Sequence, residues 1–121
     1  MMLRFALLSA TLFSAACAPP PPPASSLPAC DLKVEFASIG TGIDGTTLEK
    51  VDTLLSGDTG ILTIDRQPWG KEGEITLCID TRTDADTARL FESVRTAFPA
   101  SSSKPIAVET TAGKHYHVPT P

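Results

Sequence analysis

Apolar and polar side chains alternate where the folded part of the chain begins. In residues 32–37 (LKVEFA), Leu32, Val34 and Phe36 occupy every second position. This period of two is typical of a strand that buries one face. The glycine-rich residues 40–45 (GTGIDG) then interrupt the pattern. We therefore predict a first strand within residues 32–37 and a loop after it.

A helix is predicted after this loop. Thr46 and Glu49 have the spacing of a capping box, which marks a helix N-terminus. Gly57 provides the stop signal. Between these limits the apolar residues recur at helical spacing, at Leu48, Val51, Leu54 and Leu55. The pattern predicts an amphipathic helix that begins at Thr46.

The next two elements are predicted to be strands joined by a hairpin. Residues 61–66 and 74–80 have the composition of strands, and residues 67–73 between them contain two glycines. Apolar residues alternate along the second of these strands and give it one apolar face, formed by Ile75, Leu77 and Ile79.

A second helix and a final strand complete the pattern. Thr83 and Asp86 mark the helix start, and Pro99 stops it. Residues 106–110 are predicted to form a fourth strand, and residues 115–118 a frayed end. The inner face of the helix is expected to consist of Ala88, Leu90, Phe91, Val94, Ala97 and Phe98.

The predicted order of elements is βαββαβ, which defines the expected fold class. Right-handed crossovers favour an α+β sandwich with a four-stranded antiparallel sheet and both helices on one face, the ferredoxin-like architecture. We expect a single domain over residues 30–118 and a short tail over residues 119–121.

The N-terminus has the pattern of an export signal. Arg4 precedes an apolar run of 12 residues, 5–16. A membrane-spanning helix needs about 20 apolar residues, so this run is too short for a stable anchor. A short apolar run behind a positive charge is typical of a secretory signal peptide. We expect residues 1–16 to be removed.

The end of this signal, Ser14-Ala15-Ala16-Cys17, resembles the lipobox of bacterial lipoproteins. The resemblance covers residues 1–17 and implies that Cys17 is lipidated and becomes the new N-terminus. It also implies a cell-envelope protein that is anchored by lipid and faces the periplasm. Because Ala18 rather than aspartate follows Cys17, the resemblance favours the outer membrane. Ordinary cleavage after Ala16 is the alternative.

The three cysteines support this interpretation and predict a disulfide. If Cys17 carries lipid, Cys30 and Cys78 remain as one pair in an oxidising compartment. In the predicted topology, the start of strand one faces the end of strand three, which brings these two residues together. Cys30 has the parity of inward-facing Leu32, whereas Cys78 has that of outward-facing Thr76. We therefore expect Cys30 to lie just outside the regular ladder, or a bulge to intervene.

Residues 17–29 are predicted to form a linker. Residues 19–23 are five consecutive prolines, which as a polyproline II helix would give a stiff spacer of about 15 Å. We interpret this segment as a stalk above the lipid surface. A ligand for a polyproline-recognition domain is the alternative.

Charge and motifs exclude several function classes. The net charge is −4 and the pI is about 5.0, which argues against a nucleic-acid partner.

The GTGIDG segment, with Asp65 20 residues beyond Gly45, resembles the dinucleotide-binding fingerprint, but the chain is too short for that fold. We interpret the segment as a glycine-rich turn and expect no cofactor. His115 and His117 supply two ligands, too few for a metal site.

Two function classes remain. The first is a non-catalytic binding or structural lipoprotein with an envelope protein as its partner. The second is a small periplasmic enzyme or ligand-binding domain, for which no convergent nucleophile, base and oxyanion donors are recognisable. The first class is our expectation. The candidate partner surface consists of Trp69 at the hairpin and of the open sheet face, lined by Lys33, Glu35 and Thr76. The alternative for Trp69 is a structural role, in which the ring folds back onto its own sheet.

Overall fold

The computed structural model describes residues 29–119. The signal peptide, Cys17, residues 18–28 of the linker, and Thr120 and Pro121 of the tail lie outside the described residues. Five strands and two helices follow one another: β1 (Leu32–Phe36), α1 (Gly45–Leu55), β2 (Ile61–Pro68), β3 (Ile75–Thr81), α2 (Asp84–Ala97), β4 (Ile106–Thr110) and β5 (His115–Val118). All paired strands are antiparallel, and the strand order in the sheet is β2-β3-β1-β4-β5.

The prediction of an α+β domain with two helices and an antiparallel sheet is confirmed, but the sheet has five strands rather than four. Residues 115–118, which were expected to fray, form β5 and pair with β4. The reason is local. Gly113 adopts a positive φ of 94° that allows a tight turn, and Val118 is buried on the core side of the sheet. Burial of this apolar side chain favours pairing over fraying.

One core lies between the helices and one side of the sheet. Leu32, Val34 and Phe36 of β1 are fully buried, as the alternating pattern predicted. Val51 of α1 and Leu90 of α2 are also fully buried and belong to the same cluster. We call the opposite side of the sheet the open side. Lys33, Glu35, Thr76 and Cys78 face it. Across the strands, Lys33 is opposite Cys78 and Glu35 is opposite Thr76.

The start of α1 differs from the prediction. The N-cap is Asp44, whose carboxylate accepts hydrogen bonds from the backbone N–H of Thr47 at 3.0 Å and from its hydroxyl at 2.7 Å. Gly45 is therefore the first helical residue, and Thr46 does not cap the helix. Aspartate satisfies the exposed N–H groups of a helix N-terminus as well as threonine does and adds a favourable charge.

The disulfide between Cys30 and Cys78 is present, with 5.2 Å between the two Cα atoms. Cys30 lies before β1, outside the ladder, which is the first of the two alternatives predicted from parity. Asp31 holds the chain there because its carboxylate accepts a 2.9 Å hydrogen bond from the N–H of Thr81. Although Cys78 faces the open side, it is only 4% exposed. The chain therefore enters the domain on the open side, against the centre of the sheet.

An ion cluster ties the α1–β2 turn to α2. Arg89 forms two 2.9 Å hydrogen bonds with the carboxylate of Asp58 and a 3.2 Å contact with Asp86. Gly60 lies against this cluster, and an added Cβ would be 2.6 Å from a carboxylate oxygen of Asp86. The hydrogen bonds from Arg89, and then that from the Gly60 N–H, lower the pKa of Asp58 to about 2.

This cluster is expected to make stability depend on pH below about 4. Because the pKa of Asp58 is lower in the folded than in the unfolded state, its contribution is complete above the unfolded pKa of 3.8 and is lost as the pH falls toward 2. Asp58→Asn should therefore lower the free energy of unfolding by about 1–2 kcal/mol at pH 7, after allowance for solvent screening. Urea titrations at pH 7 and pH 2.5 measure this. Arg89→Met should remove the same pH-dependent part of the free energy of unfolding. If Asp58→Asn lowers this free energy equally at pH 7 and pH 2.5, the ion cluster is not the source of the pH dependence.

Candidate binding surface

Two loops meet at the end of the sheet that is remote from the chain entry. β1 runs from Leu32 toward Phe36, which pairs with Ile75 at the start of β3. The β1–α1 loop (residues 37–44) and the β2–β3 turn (residues 69–74) therefore leave the sheet at the same end. Each loop exposes one large apolar side chain, Ile39 at 69% and Trp69 at 44%. We call these two loops the distal surface.

Hydrogen bonds join the two loops of the distal surface. The hydroxyl of Ser38 donates a hydrogen bond to the carboxylate of Glu72. The same hydroxyl oxygen accepts hydrogen bonds from the N–H groups of Gly40 and Gly42, both at 3.0 Å. Positive φ values of 112° and 82° at these glycines place both N–H groups toward Ser38, a conformation that L side chains rarely adopt.

The electrostatics of the contact follow from this geometry. The Ser38 hydrogen bond, and to a smaller extent the N–H groups of Gly42 and Gly40, lower the pKa of the exposed Glu72 carboxyl. Glu72 is therefore a carboxylate at neutral pH, which strengthens the hydrogen bond from Ser38. The loops that present Ile39 and Trp69 are thus joined by a charge-assisted contact.

Trp69 folds back onto its own sheet but keeps much of its ring accessible. The indole Nε1–H donates a 3.1 Å hydrogen bond to the hydroxyl of Thr76, and the backbone N–H of Trp69 donates a 2.9 Å bond to the Glu74 carbonyl. Thr76 is only 4% exposed. Within the predicted partner surface, Thr76 therefore positions the indole, and Trp69 supplies the accessible area.

Lys33 and Glu35 also lie on the open side, where Thr76 accepts the hydrogen bond from the indole. Lys33 forms an ion pair with Glu109 of β4. Glu35 is directly opposite Thr76 in β3. A depression of about 170 Å³ in this region is lined by Lys33, Glu35, Ala107 and Glu109. This volume is below the several hundred Å³ of ordinary small-molecule sites.

The GTGIDG segment does not have the geometry of a nucleotide site. Gly45 lies inside α1, as a dinucleotide fingerprint would require, contrary to the sequence prediction of a helix start at Thr46. However, the Asp44 carboxylate already accepts the N–H of Thr47 at the helix N-terminus. The N–H groups of Gly40 and Gly42 are directed to Ser38 and Glu72. A phosphate at this position would be repelled by the carboxylates of Asp44 and Glu72.

The two histidines lie on β5. His115 pairs with Glu109 and His117 with Ala107, and both histidines are exposed. Within residues 29–119 no group of three or more potential ligands could hold a metal ion. A surface groove of about 580 Å³ lies between α2 and the β4–β5 turn. Its lining includes Asp84, Thr87, Thr110 and Lys114.

Sequence reasoning identified Trp69 but missed Ile39, Ser38 and Glu72. Ile39 carried a weak signal, since it is an isolated large apolar residue beside a glycine-rich loop. The contact between Ser38 and Glu72 joins residues 34 positions apart and depends on the β3–β1 pairing. No local pattern could have indicated it.

No protein-family model matches the chain, and neither curated proteins nor solved structures show a significant similarity to it. In the part of the chain that the structure describes, neither helix has the length and apolar character needed to cross a membrane.

Proposed function

We propose that this protein is a lipid-anchored component of the bacterial cell envelope whose domain binds another envelope protein through the distal surface and has no catalytic role. The observation that carries the proposal is the pair of exposed apolar side chains, Ile39 and Trp69, on two loops joined by Ser38 and Glu72. Loops that are already joined by hydrogen bonds have less entropy to lose on binding, which favours affinity. Tryptophan is also enriched among residues that dominate interface energies.

The position of the chain entry supports a tethered arrangement. Cys30 is attached to Cys78 on the open side, and β1 then runs away from it toward the distal surface. A lipid anchor at Cys17 would be connected to the domain at Cys30, through the proline-rich linker. The tether would therefore leave Ile39 and Trp69 accessible to a partner.

The architecture is also proposed to be a ferredoxin-like sandwich extended by one strand. Without β5, the strand order is β2-β3-β1-β4, and the element order up to β4 is βαββαβ. Both features agree with that architecture.

The use of charged groups supports a non-catalytic role. Lys33 is paired with Glu109, and Arg89 with Asp58 and Asp86. The sulfur atoms of Cys30 and Cys78 form a disulfide. These groups are thus engaged with one another within the domain.

A small ligand-binding domain is the second candidate. The groove between α2 and the β4–β5 turn favours it, because a volume of about 580 Å³ is in the range of small-molecule sites. Asp84, Lys114 and three threonines provide hydrogen-bonding groups there. This function would be favoured over the first if the protein bound a polar small molecule saturably and Thr87→Leu abolished that binding.

Trp69→Ala is expected to weaken partner binding by about 30-fold, the effect of removing an aromatic residue worth about 2 kcal/mol at an interface. The measurement is recovery of the partner from source-cell membranes by the full chain, followed by titration of the identified partner. Trp69→Phe keeps most of the ring area but loses the hydrogen bond to Thr76, and should retain more of the affinity. Lys33→Ala and Thr53→Ala, on the open side and on α1, are controls. Unchanged binding by Trp69→Ala, with loss by Lys33→Ala, would move the site to the open side.

Lipidation of Cys17 is tested separately by the intact mass of the protein extracted from membranes. We expect a polypeptide that begins at Cys17 and carries acyl chains. A chain that begins at Cys17 without acyl mass would contradict the anchor.

A further inference from the structure

We propose that the free edge of β2 is a second interaction surface, at which two copies of this chain pair in antiparallel fashion to form a continuous ten-stranded sheet. Among the described residues 29–119, β2 is the outermost strand and has only β3 as a neighbour. At eight residues it is twice as long as β5, the strand at the other edge. It exposes Leu62 at 55% and Ile64 at 39%.

The hydrogen-bonding groups of β2 favour pairing at this edge. The N–H of Trp69 bonds to the carbonyl of Glu74, so the residues at odd positions, including Gln67 and Asp65, face β3. The backbone groups of Ile64 and Arg66 consequently point outward. Pro68, which has no N–H, is at an outward position at the strand end, where proline is tolerated. A long edge with exposed apolar side chains and outward-facing backbone groups is a template for another strand.

Charges select the register and favour a second copy as the occupant. A two-fold axis makes one residue of β2 face its own copy. Centring the axis on Asp65 or Arg66 would place like charges directly opposite each other, which is destabilising. Centring it on Ile64 pairs this apolar residue with itself and places Thr63 opposite Asp65. Regular pairing then spans residues 63–65, with Leu62 and Arg66 opposite each other at the bulge between Ile61 and Thr63, whereas an axis at Thr63 would place that irregularity at the centre of the pairing.

The same symmetry suits a protein that is tethered to a membrane, and this part of the inference rests on the proposed function. A two-fold axis perpendicular to the sheet places the open sides of both copies, and both chain entries at Cys30, on the same side. Both anchors could then reach one membrane. Attachment to one surface raises the effective concentration of the copies and would support a weak strand pairing. The two distal surfaces would lie at opposite ends of the extended sheet and stay accessible.

Disulfide cross-linking at the symmetry axis tests the proposal. Residues in a hydrogen-bonded antiparallel pair have Cα atoms about 5.5 Å apart, within the range that a disulfide spans. Ile64→Cys is introduced into the full chain, and native membranes are treated with copper phenanthroline, which oxidises two adjacent thiols. Thr53→Cys, at an exposed position of α1, is the matched control. Circular dichroism verifies that both variants are folded.

We expect a covalent dimer of twice the chain mass for Ile64→Cys and at most a trace for Thr53→Cys. Adding Arg66→Pro, which removes an outward N–H, should reduce the Ile64→Cys dimer by about tenfold. Equal cross-linking at both positions, no dimer at Ile64→Cys, or an adduct with a different protein would overturn the proposal. Because Trp69 is unchanged in these variants, partner recovery by the distal surface is measured independently.

Discussion

Replacing both Cys30 and Cys78 with alanine is expected to lower the free energy of unfolding by about 4 kcal/mol, the value that chain entropy gives for a cross-link across 48 residues. The domain is small, so this loss is a large fraction of its total stability. A fall in melting temperature of about 15–30 °C corresponds to it for a domain of this size. Urea and thermal unfolding of the parent and the double variant measure the change.

Chemical reduction of the parent protein provides the matched comparison, since it breaks the same bond without removing the sulfur atoms. Reduced parent and double variant should unfold at similar denaturant concentrations. Cys78 is 4% exposed, so reduction should be slow until the domain opens. A stability loss under 1 kcal/mol in both samples would show that the cross-link contributes little to this fold.

Leu90→Ala is expected to cost about 3 kcal/mol of unfolding free energy, within the range measured for buried leucines. Leu90 is fully buried on α2 and belongs to the single core cluster. Removing three methylene-sized groups loses their transfer free energy and leaves a cavity that close packing prevents from collapsing fully.

Leu62→Ala is the control, because it makes the same chemical change at a side chain that is 55% exposed. It should cost less than about 1 kcal/mol in a dilute, anchor-free sample. Equilibrium urea unfolding compares the two variants. Similar losses at both positions would contradict the placement of α2 against the sheet.

Most elements could be predicted from local pattern because each carries a period that matches its burial. β1 alternates in sequence and in exposure, and α2 has its N-cap at Thr83, the residue that the sequence indicated. β5 was missed because four residues with two histidines give a weak signal. Its pairing depends on the turn at Gly113 and on the core position of Val118, which are properties of the assembled sheet.

The start of α1 shows how two local signals can compete. Both Asp44 and Thr46 can cap a helix, and the sequence alone does not rank them. In the structure, Asp44 accepts two hydrogen bonds from Thr47, which puts the N-cap two residues before Thr46. The shift matters for function because it places the Asp44 carboxylate where a nucleotide phosphate would have to bind.

The distal surface could be predicted only in part. Trp69 was evident as a single tryptophan in a turn, but its partner loop was not, because the loop that carries Ile39 reaches the same end of the sheet only through the pairing of β1 with β3. The contact between Ser38 and Glu72 depends on the same pairing. Conversely, Thr76 was expected to contact a partner, and its burial beneath the indole could not be inferred from strand parity.

Site-specific photo-cross-linking in native membranes tests the proposed partner surface most directly. A photoreactive amino acid replaces Ile39 in the full chain, and in a second protein it replaces Thr53 on the exposed face of α1. Our account predicts a discrete adduct with one envelope protein from position 39, its loss when Trp69→Ala is added, and no such adduct from position 53. No adduct from position 39, or the same adducts from both positions, would contradict it.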